Sequence, residues 1–279
     1  MNYERAGGEM KPRILIHILA KDKAKILPEW LKQNLDNLKY DRDKIILYFR
    51  TNNNNDETAK IIHDWVDDQR TLRDREDDDS WAYDWAHIHI DDHDVDTPVQ
   101  NYGVHEWTPE RFKVLAALRQ EGIEMAQFWN VDFYYTVDVD NFTVGDTLER
   151  LVSYNLPVVA PLLMSADPEQ PAYSNYHNIA TPNGYFKDNE AYYRILNRQV
   201  QGLIKCDVVH CTYLIRKDTL SAIRYADGTD DYEYVIFSRR LRELGITQYL
   251  DNTKVYGYLT TRENVDACVG KMKELRHGN

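Results

Sequence analysis

The chain has 279 residues, 43% apolar and 29% charged, enough for one large domain or two closely joined small ones with a true core. Its 6 Trp, 20 Tyr and 7 Phe, spread along most of the length, exclude a disordered chain. The excess of 46 acidic over 34 basic residues, a net charge of −12, argues against nucleic acid or an anionic membrane as the main partner.

Residues 1–11 lack the apolar core of a signal peptide. The nearly all-apolar run at 13–19 suits a strand buried on both faces, as in a parallel sheet. Leu27, Trp30, Leu31, Leu35 and Leu38 then recur at helical spacing. A second apolar strand at 44–49 runs into a polar loop at 51–56, and Thr58 is placed to cap a helix carrying Ala59, Ile62, Trp65 and Val66. Residues 71–106 break this rhythm as an Asp/His-rich excursion with one short strand expected at 85–90. Its His87, His89 and His93 are zinc-type donors, but nothing closes a shell and the stretch reads as a charged loop.

Regularity returns at Thr108. Pro109 suits a first helical turn, and Phe112, Leu115, Ala116, Arg119, Ile123 and Met125 carry the helix to about Trp129. The aromatic, β-branched run 132–137 is a strand. A helix at 147–154, a strand at 157–160, an irregular aromatic surface at 173–176 and 184–193, and one strand over 208–216 with His210 inside it follow. A helix at 232–244 stops at Gly245, a last strand takes 246–250, and 266–279 is read as a terminal helix. Alternating strands and helices with short loops indicate an α/β fold, a mostly parallel central sheet flanked by helices, without repeats or linkers. No apolar run nears the roughly 20 residues that span a bilayer. Cys206, Cys211 and Cys268 make no disulfide framework and have no zinc spacing, so a reducing, cytoplasmic setting is expected.

Five Asp-x-Asp pairs occur: Asp41/Asp43, Asp77/Asp79, Asp92/Asp94, Asp94/Asp96 and Asp138/Asp140. Only the last directly follows an apolar strand. Period-two geometry would turn Asp138 and Asp140 to one side and Val139 to the other. Two converging hard oxygen donors suit Mn²⁺ or Mg²⁺, with positions left for phosphate and water. The carboxyl ends of strands are also where open α/β sheets take ligands.

The run Phe133-Tyr-Tyr-Thr-Val-Asp-Val-Asp-Asn-Phe142 resembles the Asp-x-Asp block of the procollagen galactosyltransferase-type family. The likeness continues in order. Trp107 to Gln120 matches the preceding helix, and Thr51 to Thr58 an earlier loop. Val158-Val-Ala-Pro-Leu162, Ala172-Tyr-Ser-Asn-Tyr176, Gly184-Tyr-Phe186, Val209-His-Cys-Thr-Tyr-Leu-Ile215 and Tyr256-Gly-Tyr-Leu259 follow downstream. The resemblance spans about residues 13–260. It implies a GT-A glycosyltransferase fold with a Rossmann-like nucleotide-binding half, as one domain at 12–262 followed by a C-terminal helix or tail at 263–279.

It further implies a hexosyltransferase, galactose favoured over glucose or xylose, that takes a UDP-sugar donor and Mn²⁺ (or Mg²⁺) and transfers to a glycan or protein hydroxyl with inversion. Carried over by position, Asp138 and Asp140 would hold the metal. Ala20, Lys21, Thr51, Asn52, Arg119 and Asp138 would contact the donor, and His210 would join the metal or a phosphate. A carboxylate base is needed, and the family has an Asp-Asp pair where this chain reads Asp230-Asp231-Tyr232-Glu233-Tyr234, so Glu233 or Asp231 would serve. A family His after the Tyr-Gly-aromatic-Leu block is replaced by Thr260-Thr-Arg262. Tyr173, Tyr176, Tyr185, Tyr192 and Tyr193 suit a sugar-stacking acceptor wall or an ordinary half-exposed surface. Two rival readings are a nucleotidyltransferase and a glycan-binding domain that has lost catalysis.

Overall fold

The computed structural model describes residues 11–73, 83–96 and 108–277, and in it the apolar runs sort into two layers on either side of one sheet. Trp107 and the Asp77/Asp79 pair lie outside the described residues. The chain runs β1 (Ile14–Leu19), α1 (Leu27–Trp30), β2 (Ile45–Arg50), α2 (Thr58–Arg73), β3 (Ile88–Asp91), α3 (Pro109–Phe128) and β4 (Phe133–Val137). Then come β5 (Asn141–Thr143), α4 (Thr147–Ser153), β6 (Val158–Pro161), β7 (Leu163–Ser165), β8 (Tyr176–His177) and α5 (Glu190–Leu196). The remainder is β9 (Leu203–Cys206), β10 (Val208–Val209), β11 (Thr212–Arg216), α6 (Glu233–Glu243), β12 (Gln248–Asp251), β13 (Gly257–Leu259) and α7 (Val265–His277).

Eight strands form the central sheet in the order β3-β2-β1-β4-β11-β6-β12-β9. All share one direction except β11 and β9, so the sheet is mostly parallel, with its parallel half at β3-β2-β1-β4. Alternation decides the layers. Ile14, Ile16 and Ile18 face one layer and Leu15 the other; Phe133, Tyr135 and Val137 of β4 oppose Tyr134 in the same way. A small sheet β5-β13-β7 and a β8/β10 pair sit beside the main one. Helix α7 docks by Cys268 and Met272 onto the first layer. No described helix is long and apolar enough to cross a membrane.

The expected elements recur with instructive differences. The helical stripe at 27–38 is α-helical only to Trp30 and continues as a wider π-helical segment, Leu31–Asp36. From it Gln33 donates to the Thr143 carbonyl (2.9 Å) and Asn34 to that of Asn141 (2.7 Å), holding β5 in place. The strand expected at 85–90 is a 3₁₀ turn, Trp85–His87, followed by β3. The single strand expected over 208–216 is broken, because Cys211 takes φ 64°, and its halves pair differently: β10 with β8, β11 with β4 and β6. Strands β5, β7, β9 and β13 and helix α5 are not expected from the sequence; three or four strand residues carry no readable period.

Helix α3 lies close over β1 at Gly122. A Cβ there would stand 2.1 Å from Nδ1 of His17, whose ring is stacked on Tyr48 (5.1 Å between centroids) and whose Nδ1 is 2.8 Å from the Tyr134 hydroxyl. The ring is fully buried and cannot swing aside without losing these contacts. Gly122→Ala is therefore expected to destabilise the fold by about 3 kcal/mol, read as a lower urea midpoint at unchanged slope.

Candidate active site

Strand β4 ends at Val137, and the chain then turns sharply: Asn141 N–H donates to the Asp138 carbonyl at 2.9 Å. The Trp30 indole N–H donates to the carbonyls of Asp138 (3.1 Å) and Asn141 (2.9 Å), and the Asn141 amide donates to the Thr212 hydroxyl (2.7 Å). Asp138, Val139 and Asp140 all line a cleft of about 620 Å³, with Val139 also packed into the first layer of the core. The two carboxylates thus converge because of a pinned turn and not because of strand alternation, which corrects the period-two expectation.

Arg119 comes from α3, which Pro109 opens and Thr108 caps by accepting from the Arg111 N–H (3.3 Å). It shares the buried stripe of Phe112, Ala116, Ile123 and Ala126, so a guanidinium is driven into the buried wall of the cleft. There it donates to both oxygens of Asp138 (2.9 and 3.1 Å) and to the Thr136 hydroxyl (3.1 Å). Its Nε also lies 3.4 Å from Glu233 Oε1. A single buried cation therefore bridges two acids of the site.

Glu233 opens α6, where the positive helix end faces it. It is 5% exposed, and its Oε2 is buried without a hydrogen-bond partner. Burial lifts its pKa above the usual carboxylate range, and Arg119 offsets only part of this. Asp231 is placed otherwise. It does not line the cleft; it accepts from Arg239 (2.8 Å) and from the Tyr185 hydroxyl (2.8 Å), and the Arg239 contact pulls its pKa down.

Asp140 is pushed up to about 6 by burial, with the Asp138 charge adding to the shift and Lys23 opposing it. Lys23 pairs with Glu263 at 2.8 Å, and the Asp140 and Glu263 charges outweigh burial to raise its pKa. Two crowded carboxylates are the donor set that a hard divalent cation relieves, so these residues fit Mn²⁺ or Mg²⁺. Among the described residues no three His, Cys, Asp or Glu gather as a metal-holding group. His210 lines the same cleft without completing one: its Nδ1 lies 2.9 Å from the Cys211 sulfur, and its Nε2 is buried without a partner. The same absence covers the described His87, His89 and His93; His93 instead contacts Asp91 (2.8 Å) and His89 packs on Trp129.

Of the residues expected to meet a donor, Ala20, Lys21, Asn52, Arg119 and Asp138 line the cleft. Thr51 does not. It lies behind the wall, its carbonyl accepting from Arg50 (2.6 Å) and its hydroxyl from Asn54 (2.6 Å). Lys23, Arg50 and Arg262 also line the cleft, beyond the residues expected to bind. One of them carries a signal in the sequence: Arg50 closes an otherwise apolar strand. In place of the family histidine, Thr260 and Thr261 hold Asp167 by hydrogen bonds of 2.7 and 2.6 Å, and Arg262 pairs with Glu169.

A family described as glycosyltransferase family 25, N-terminal domain, matches residues 11–276. Among individual relatives, the procollagen galactosyltransferase 1-B of Xenopus laevis is 30% identical over 261 residues, covering 89% of this chain and 39% of that protein. The inactive glycosyltransferase 25 family member 3 of Mus musculus is 29% identical over 260 residues, covering 89% of this chain and 40% of that protein. The chain thus spans about two fifths of the length of the curated relatives it matches. Among solved structures, S. aureus TarS 1-349 in complex with UDP-GlcNAc superposes with a TM-score of 0.54 at 13% identity, covering 90% of this chain and 59% of that one. The mannosyltransferase PcManGT from Pyrobaculum calidifontis, in complex with GDP-Man and Mn²⁺, gives 0.50 at 13% identity over 90% of this chain and 57% of that one. These likenesses identify the fold as GT-A.

Proposed function

This chain belongs to glycosyltransferase family 25, and from that premise we propose that it moves galactose from UDP-galactose to a hydroxyl of a glycan or protein acceptor, with inversion. The observation that carries the reading is one cleft holding the Asp138/Asp140 pair and a buried, half-partnered Glu233, joined through Arg119. Relatives of nearly equal identity bear opposite names, galactosyltransferase and inactive, so names alone do not decide for activity. The convergence of Asp138, Asp140 and Glu233 on one cleft favours it.

Asp138 and Asp140 would hold the divalent cation, which supplies neutralisation of the charge growing on the departing diphosphate. Ala20, Lys21 and Asn52 would border the nucleotide, and Thr51 supports that wall from behind. Glu233 takes the acceptor hydroxyl proton as the new bond forms from that oxygen to the anomeric carbon. The bond from that carbon to the diphosphate oxygen breaks, and UDP leaves with its electron pair. The unpartnered Oε2 and the raised affinity of Glu233 for a proton fit this role, whereas Asp231 lies outside the cleft lining with its pKa pulled down by Arg239.

The test is UDP release from UDP-galactose, UDP-glucose and UDP-xylose with Mn²⁺. UDP-galactose should react fastest, and a chelator should stop turnover. A different fastest sugar replaces galactose in the proposal, because hexoses differ by single hydroxyls that a few side chains read. UDP binding without turnover on any acceptor favours the lapsed glycan-binding domain, and pyrophosphate release from a nucleoside triphosphate favours a nucleotidyltransferase.

A further inference from the structure

We propose that Lys23 is a donor-binding residue that keeps the place of the divalent cation until a nucleoside diphosphate arrives, so that metal and nucleotide enter the cleft together. This deepens the transferase reading above and rests on it for the metal. Lys23 lies on the loop after β1 and lines the same cleft as Asp138 and Asp140. Its backbone is fixed: the N–H donates to the Thr58 hydroxyl (2.6 Å), and the carbonyl accepts from the N–H groups of Ile26 (3.0 Å) and Leu27 (2.9 Å). The four-carbon stem is what can turn. At its tip the ammonium donates to Glu263 at 2.8 Å, with both side chains largely buried.

Glu263 is brought there from the other end of the chain. The Thr260 N–H donates to the Asp140 carbonyl (3.1 Å), which straps this segment to the acid turn. The Thr260 hydroxyl then accepts from the N–H groups of Arg262 (3.1 Å) and Asn264 (3.0 Å). In that tight turn Glu263 takes φ 54°, a left-handed conformation in which a glutamate is uncommon. Strain of this kind gathers at functional sites, and here it sets a third acid whose charge acts on Asp140.

Burial disfavours charge on Lys23, and Asp140, Glu263 and Asp138 together outweigh it. One ammonium is thus held by three acids, two of which are the proposed metal ligands. The other cations of the lining have different duties. Arg119 spans Asp138 and Glu233, Arg50 pairs with Glu121 (3.0 Å), Lys21 with Asp22 and Arg262 with Glu169, while Arg111 belongs to the first turn of α3. Lys23 is the cation that acts most strongly on Asp140. A divalent cation on Asp138 and Asp140 would meet this ammonium at close range, and like charges repel. A diphosphate removes the conflict, because its anionic oxygens can take both. Lysine suits the exchange, with a compact charge, three rotatable donors and a flexible stem. A residue that makes metal binding depend on nucleotide also makes nucleotide binding depend on metal, by the same factor.

The test follows Mn²⁺ binding to the full chain by loss of the free-ion electron paramagnetic resonance signal, with and without UDP. Without UDP, Lys23→Met should bind Mn²⁺ at least about fivefold tighter than wild type, the low end of coupling between sites. The double variant Lys23→Met/Glu263→Gln should exceed Glu263→Gln alone by a similar factor, which separates loss of the ammonium from release of Glu263. Because the double variant leaves no unpaired acid, it carries the comparison if Lys23→Met fails to fold. The gain in Mn²⁺ affinity brought by UDP should shrink at least about fivefold when Lys23 is removed. Lys23 variants that bind Mn²⁺ alone no tighter than their parents overturn the proposal and leave Lys23 as a structural bridge. An absent or undiminished UDP gain overturns it too. Asp140→Asn locates the ion: Mn²⁺ binding that survives this change overturns the metal reading and the proposal together, whereas binding lost there but untouched by Lys23 overturns the proposal alone.

Discussion

Glu233→Gln is expected to lower kcat for sugar transfer by about two to four orders of magnitude, the range a positioned general base supplies. The amide keeps the size and its place beside Arg119, but it cannot take a proton. Folding should survive, since Arg119 keeps both hydrogen bonds to Asp138 and is not left as an uncompensated buried charge, and the Oε2 being replaced has no partner to lose. The pH profile provides the second readout. Burial raises the Glu233 pKa above its ordinary 4.5, and a base must be unprotonated to act. Wild-type turnover should therefore fall as pH drops through this raised value, and the limb should vanish in the variant. Asp231→Asn should cost far less, because Asp231 is tied to Arg239 and Tyr185 outside the cleft lining. Equal losses in the two variants would return the base to either acid of the segment.

Asp140→Asn should weaken Mn²⁺-supported UDP binding by more than about a hundredfold, since loss of a direct ligand exceeds the 10–100-fold that loss of an outer partner brings. Titration calorimetry with and without Mn²⁺ reads this directly. The metal-free variant should melt no lower than wild type, because Asp140 is buried beside the like charge of Asp138 and its pKa is raised to about 6. Lys23, which faces Asp140, keeps its ion pair with Glu263. An affinity drop that tracks a drop in melting temperature would instead mark Asp140 as a structural residue.

Much of the fold and part of the site are legible in the amino-acid sequence. Both layers of the sheet follow from the runs that form β1, β2 and β4, where apolar side chains on successive residues require two buried faces. Arg119 is legible because a cation sits on an apolar helical stripe, and Asp138 because it ends an apolar strand. The rest depends on contacts distant in sequence. Whether Asp231 or Glu233 faces the cleft turns on where α6 begins, and α6 has no side-chain N-cap to mark its start. His210 reads as a strand residue, and only the positive φ of Cys211 breaks that strand and swings it toward the cleft. Lys23 and Arg262 reach the site from loops at opposite ends of the chain, one bridged to the segment of the other by the Lys23–Glu263 pair. Helix α5 announces itself by Asn189, whose side chain accepts from the Tyr192 N–H, yet Tyr192 and Tyr193 suit an irregular aromatic surface equally well.

On the proposed reading, the turn after β4 grips a divalent cation that accompanies a nucleoside diphosphate. A crystal of the full chain grown with UDP and Mn²⁺ tests it most directly, using the anomalous signal of manganese. One manganese peak bonded to oxygens of Asp138 and Asp140 is expected, with the uracil against Ala20, Lys21 and Asn52. Manganese bound elsewhere, or UDP seated in the cleft with both carboxylates still bare, would contradict it.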